Sequence, residues 1–202
     1  MTTIHYDNQT ITPSKVICVG RNYVAHIKEL NNETPESMVL FNKPNSAITN
    51  SLAYIQEDCR FEGEICFLIK DKHIEGIGFG LDLTKAGIQN KMKEKGLPWE
   101  RAKGFNNSAV LSEFVPFSGN IETIEMKLFL NGKLVQHANY ELMIYKPEEI
   151  LREIETFMSL EDGDIIMSGT PKGVATYAKD DVFLAVIYVD GKIVLEKEFI
   201  AQ

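Results

Sequence analysis

"IEMKLFLNGKLVQH", residues 124–137, sets two alternating apolar runs on either side of Asn131-Gly132. Asn-Gly is the pair that best supplies the two consecutive positive φ values of a type I′ turn between twisted antiparallel strands. The stretch predicts a β-hairpin, and "FLAVIYVDGKIVLEKEF", residues 183–199, repeats the device at Asp190-Gly191. Between the two, "KPEEILREIETFM", residues 146–158, changes period. It reads as an amphipathic helix with Pro147 near its start, Glu148 and Glu149 in the first turn, and Ile150, Leu151, Ile154 and Phe157 on one face.

Working outward, "TIHYDNQTIT" (3–12) reads as two short β segments around Asp7-Asn8, and "KVICVG" (15–20) as a buried strand ending at Gly20. Tyr23, His26, Ile27 and Leu30 then recur at helical spacing. "IEGIGFGLDL" (74–83) is glycine-rich, which lets a backbone or a ligand approach closely. "TKAGIQNKMKEKG" (84–96) looks helical, with Thr84 as N-cap and Gly96 as its stop. Strands outnumber helices and come as hairpins. The expected class is α+β: a predominantly antiparallel β-sheet roll with a few helices, rather than a doubly wound parallel sheet. One domain over residues 15–202, preceded by a short β appendage at 1–14, is the expected organisation.

The chain has 202 residues and a formal net charge of −8, which disfavours nucleic acid and anionic membrane surfaces as partners. A small anionic substrate then needs cations placed locally. No apolar run reaches the roughly 20 residues of a membrane span, and "MTTIHYDNQT" lacks a signal-peptide pattern, so a cytoplasmic location is expected. Cys18, Cys59 and Cys66 form no C-x-x-C pair and suggest neither a disulfide framework nor a thiolate zinc site.

Four places carry polar groups where burial or constraint is expected. In "FEGEICFLIK" (61–70), Glu62 and Glu64 fall two apart on a strand and so on one face. Either that face is wet, or it faces a cleft and something positive stands between the two carboxylates. Asp82 ends the glycine-rich strand. Three carboxylates without Cys or His are the ligand type of a hard divalent cation, Mg²⁺, Mn²⁺ or Ca²⁺. His26 and Glu29, three apart on the expected helix, are either a surface ion pair or an oriented general base. "GDIIMSGTPKGV" (163–174) runs from strand to glycine-flanked loop, with the hydroxyls of Ser168 and Thr170, and its amides can hold an anion or simply form a turn. Lys43 and Lys103 lie in apolar or glycine-bearing contexts, where each meets a substrate carboxylate or snorkels to solvent.

Taken in order, "KVICVGRNYVAHIKEL" (15–30), "FEGEICFLI" (61–69), "LDLTKAGIQNKMKEKGLPWERAKGF" (81–105), "LNGKLVQ" (130–136) and "FMSLEDGDIIMSGTPKGV" (157–174) resemble the fumarylacetoacetate hydrolase family. Within it, they resemble the short single-domain branch of acylpyruvase and oxaloacetate decarboxylase-like proteins. The resemblance implies Glu62, Glu64 and Asp82 as ligands of Mg²⁺ or Mn²⁺, in a homodimer acting on a small 2-oxo acid. It implies a water-activating His26–Glu29 pair and a charge-stabilising Lys103. Lys43 is implied near the entrance, and Gln89, Thr170 and Arg21 toward substrate. The expected reaction is C–C bond hydrolysis of an acylpyruvate-like β-diketo acid. Oxaloacetate decarboxylation or tautomerisation and hydroxymuconate-type isomerisation are the alternatives at the same site, and a non-catalytic metal-binding homologue is a third. Where the family commonly reads T-A-R-D, this chain has Thr84-Lys85-Ala86-Gly87, so Lys85 is a candidate to hold a substrate carboxylate instead.

Overall fold

The two type I′ turns form as their sequences require. Asn131 and Gly132 have φ of 50° and 78°, and Asp190 and Gly191 of 51° and 71°. They belong to a computed structural model that describes residues 1–24, 37–55 and 58–202. The first strands are β1 (Ile4–Tyr6), β2 (Gln9–Ile11), β3 (Lys15–Gly20), β4 (Val39–Pro44), β5 (Ile48–Thr49) and β6 (Cys59–Phe61). β7 (Gly63–Lys70), β8 (His73–Asp82), β9 (Thr84–Lys85), β10 (Ala109–Leu111) and β11 (Val115–Pro116) follow, with helices α1 (Ala86–Glu94) and α2 (Glu100–Lys103) before β10. The rest comprises β12 (Glu125–Leu130), β13 (Lys133–Asn139), α3 (Pro147–Glu155), β14 (Ile165–Met167), β15 (Ala175–Thr176), β16 (Val182–Val189) and β17 (Lys192–Ile200).

The main sheet runs β4-β3-β14-β7-β8-β10-β5, with β11 on β8; a second sheet runs β13-β12-β16-β17, and a small one β15-β6-β9. Most pairs are antiparallel, but β14 lies parallel to β3 and β10 parallel to β5. The expected antiparallel roll therefore holds with two parallel pairs inside it. Their partners are far apart in sequence, where hairpin signals do not reach.

The main and second sheets pack face to face. Phe79 of β8 meets Phe199 of β17 with ring centroids 6.1 Å apart, and Phe61 of the small sheet meets Phe183 at 5.0 Å. Ile65, Phe67 and Ile69 of β7 and Ile77, Phe79 and Leu81 of β8 fill this core. The opposite face of the main sheet holds a second cluster that includes Cys66, Leu68, Phe114 and Met167, covered by Ile4 and Tyr6 of the β1–β2 hairpin. Gly76, Gly78 and Gly80 occupy that face; side chains approach all three, and the Val115 carbonyl also approaches Gly76. A Cβ at Gly78 would stand 2.8 Å from the Phe114 ring, and one at Gly76 2.9 Å from Tyr6. Period two then puts Asp82 on the same face, immediately beyond the packed part of the strand.

Two local expectations change. Thr84 is not the cap of α1, whose N-cap is Lys85; it pairs with Arg60 in the small sheet. Phe157 lies beyond the end of α3 and is exposed, whereas Ile150 and Ile154 are buried as their spacing requires. The expected helix around His26 lies outside the described residues. Among the described residues no helix is long and apolar enough to cross a membrane.

Candidate active site

The strand that carries the two glutamates is interrupted at Glu62, where the chain passes from β6 in the small sheet to β7 in the main one. The β7–β8 register sets Glu64 opposite Gly80 and Gly63 opposite Leu81, and the Asp82 N–H donates to Glu62 O at 2.8 Å. Carboxylate oxygens of Glu62, Glu64 and Asp82 thereby lie within 4.8 Å of one another. Glu64 is 2% exposed and Asp82 1%. Three anions so confined need positive charge.

Two lysines supply part of it. Lys103, at the end of α2, donates to Glu62 Oε2 at 3.0 Å, Asp82 Oδ2 at 2.7 Å and Thr84 Oγ1 at 2.5 Å. Burial works against this ammonium, but Asp82 and Glu62 beside it together outweigh burial and hold its pKa above the ordinary lysine value. Lys43, expected near the entrance, is instead wholly buried behind Asp82 and does not line the cavity. Its Nζ stands 2.8 Å from Asp82 Oδ1 and 3.1 Å from Ser108 Oγ, and also donates to the carbonyl of Lys103. Neither lysine snorkels, because both ammoniums find carboxylate and carbonyl acceptors inside.

The set still fits a hard cation. When all three carboxyls are ionised, the two ammoniums leave one negative charge over, which a cation would offset. Buried Asp82 Oδ1 has the Lys43 ammonium 2.8 Å away as an ion pair but takes part in no aligned hydrogen bond, which leaves it a lone pair for a cation. Burial first, then Asp82 and Glu62, push the Glu64 carboxyl well above the usual carboxylate range. The donors are all oxygen, as Mg²⁺ and Mn²⁺ prefer. Cys18 and Cys66, beneath the site, are neutral thiols whose pKa values burial raises.

The 168–171 loop turns one amide onto the protein's own carboxyl: Gly169 N–H donates to Glu64 Oε2 at 2.7 Å. Gly169 has φ of 99°, and a Cβ there would meet Asn22 Cβ at 2.7 Å, so only glycine fits this close approach. Ser168 is spent on Ile65 O. Thr170 donates to Gly63 O at 3.0 Å and accepts from Gln136 Nε2 at 2.8 Å. Gln136, absent from the sequence reading, also accepts the Gly63 N–H at 2.9 Å. It clamps the residue between the two glutamates from the second sheet. A buried glutamine at an inward position of the hairpin strand was the signal available.

A small cleft opens over the carboxylates. Arg21, Gln89, Lys103 and Thr170, all expected near substrate, line it with Phe41, Lys93 and Trp99. Lys85 is elsewhere, its Nζ 5.0 Å from the centroid of the Phe105 ring beside a different hollow. His26 and Glu29 lie outside the described residues.

Residues 15–186 match the model of the fumarylacetoacetate (FAA) hydrolase C-terminal family. The chain belongs to this family. Its relatives include a mitochondrial oxaloacetate tautomerase of Schizosaccharomyces pombe, 36% identical over 192 residues that cover 85% of this chain and 87% of that one. A crystallised Oleispira antarctica protein superposes with a TM-score of 0.92 at 34% identity, covering 100% of both chains. A fumarylpyruvate hydrolase from Pseudomonas aeruginosa, crystallised with Mn²⁺ and pyruvate, superposes with a TM-score of 0.89 at 28% identity, over 99% of this chain and 95% of that one. The sheet roll and few helices are thus the fumarylacetoacetate hydrolase fold.

Proposed function

We propose that this family member is a divalent-cation-dependent enzyme that interconverts the keto and enol forms of oxaloacetate. The observation that carries this reading is the buried Lys103 ammonium set among three carboxylates at the floor of a cation-lined cleft. The tautomerase relative, alike over 85% of the chain, supports it over the hydrolase reading expected from the sequence.

Mg²⁺ or Mn²⁺, held by Glu62, Glu64 and Asp82, supplies a Lewis acid toward the carboxylate and 2-oxo oxygens of the substrate. The chain's own groups do the rest. In the keto-to-enol direction a proton leaves C3 and one is taken up at the C2 oxygen. Lys103 donates a hydrogen bond to the oxygen on which negative charge develops. All three of its protons are engaged by Glu62, Asp82 and Thr84, so a substrate oxygen displaces one of these acceptors. Thr170 and Gln89 orient the substrate, and His26, which the sequence pairs with Glu29, is assigned as the base.

A second reading is retained on one observation, the likeness to a fumarylpyruvate hydrolase with Mn²⁺ and pyruvate bound. There the same pair, His26 and Glu29, activates water against a distal carbonyl of a β-diketo acid. Metal-stripped protein given back Mn²⁺ separates the two. Accelerated decay of enol-oxaloacetate absorbance supports the tautomerase; release of acetate from acetylpyruvate without that acceleration overturns it in favour of the hydrolase. Tight Mn²⁺ binding with neither activity indicates a binding homologue. We further propose a homodimer working in the cytoplasm. An apolar hollow lined by Val24, Leu134, Val135, Leu142 and Pro171 supports the first, and three free, buried cysteines support the second.

A further inference from the structure

The cleft has an aromatic wall with a cation at either end. Lys103 Nζ lies 5.1 Å from the centroid of the Phe41 ring, the Phe41 and Trp99 centroids are 5.8 Å apart, and Lys93 Nζ lies 5.3 Å from the Trp99 centroid. One ammonium belongs to the carboxylate floor. The other stands at the far end, one helical turn beyond Gln89 on α1, and contact with the indole face holds it in place. Arg21 lines the same cleft from a backbone with φ of 60°, a conformation rare for a non-glycine residue. The next residue maintains it: fully buried Asn22 donates to Ser168 O at 2.8 Å and Tyr145 O at 3.0 Å, and accepts from Tyr145 N at 2.7 Å. Burial and then Arg21 lower the pKa of Lys93, with Lys103 and Arg60 adding to the crowding and Glu62 opposing it. In a protein of net charge −8, Lys93 and Arg21 lining one cleft make it locally favourable to an anion.

Resting on the 2-oxo acid reading above, we infer that Lys93, assisted by Arg21, holds the second carboxylate of a dicarboxylic 2-oxo acid and so selects it over a monocarboxylic acid of equal length. The reacting end lies over Glu62, Glu64 and Asp82, and the chain of the acid runs along Phe41 and Trp99. Specificity of this kind follows because the Lys93 ammonium meets a carboxylate in the one acid and a methyl group in the other.

The test is calorimetric titration of the Mn²⁺-loaded protein with oxaloacetate and with 2-oxobutyrate, which differ only in carboxylate against methyl at C4. The wild type is expected to bind oxaloacetate about tenfold or more tightly. Lys93→Met is expected to bring the two within about twofold by weakening oxaloacetate alone, and Lys93→Arg to retain most of the preference. A preference unchanged in Lys93→Met, equal weakening of both acids, or no binding of either acid overturns the assignment. Turnover is read separately. A Lys93-dependent preference without conversion of oxaloacetate removes the tautomerase reading and leaves the assignment standing.

Discussion

Glu64 shows how much one position can be asked to do. Its carboxylate accepts from Gly169 N–H, shares a buried pocket with Asp82, and belongs to the carboxylate cluster proposed to hold a cation. Glu64→Gln keeps the shape and removes the charge, so Mn²⁺ affinity should fall at least about tenfold and turnover should be lost, read by calorimetry and by the enol decay assay. The three carboxylates were legible in the sequence because acids are conspicuous on a strand that otherwise reads as core. Lys43 was not legible. Its immediate neighbours say nothing about Ser108 or Asp82, and only the folded chain reveals that its ammonium sits inside, against groups brought from 39 and 65 residues away. Gln136 failed for the same reason, since the Gly63 it holds is 73 residues distant.

At the scale of the element, β8 is the instructive case. Its alternating glycines were expected to admit a backbone or a ligand; Gly76 admits the Val115 carbonyl, and the three admit the side chains of Tyr6, Phe114 and Leu111 as well. Gly78→Ala should destabilise by roughly 1–3 kcal/mol, because its Cβ would press on the ring of buried Phe114. A Phe114→Leu change in the same chain should recover part of the loss, which urea midpoints of the single and double variants will measure. Hairpins β12–β13 and β16–β17 were legible because Asn-Gly and Asp-Gly act within four residues. The parallel pairs β3–β14 and β5–β10 were not, because nothing local distinguishes their partners.

Across the whole molecule, stability should fall on the alkaline side through the clasp of the first hairpin. The Tyr6 hydroxyl donates to Glu75 Oε1 at 3.0 Å, and burial, followed by that bond and the Glu75 charge, raises its pKa to about 12. The unfolded chain releases this proton near pH 10, about two units earlier. Between those values the folded state binds more protons than the unfolded one, so stability decreases as pH rises and is unaffected by Tyr6 below that window. Denaturant midpoints from pH 9 to 12 should decline less steeply in Tyr6→Phe than in the wild type. An equal decline in both would remove Tyr6 from the account.

Gln136 reaches Gly63 across 73 residues and Gly169 reaches Glu64 across 105, while Glu62 and Asp82 are joined by a backbone hydrogen bond at the end of the local β7–β8 pair. The ligands can thus gather early as the chain folds, but the braces that shape them arrive only when distant segments dock. Contacts of such sequence separation form late and slowly. Mn²⁺ should accordingly act on the exit from the native state: in stopped-flow experiments it should slow unfolding several-fold and leave the refolding rate nearly unchanged. A refolding rate that climbs with Mn²⁺ would mean that the cation itself assembles the site, ahead of the sheet that braces it.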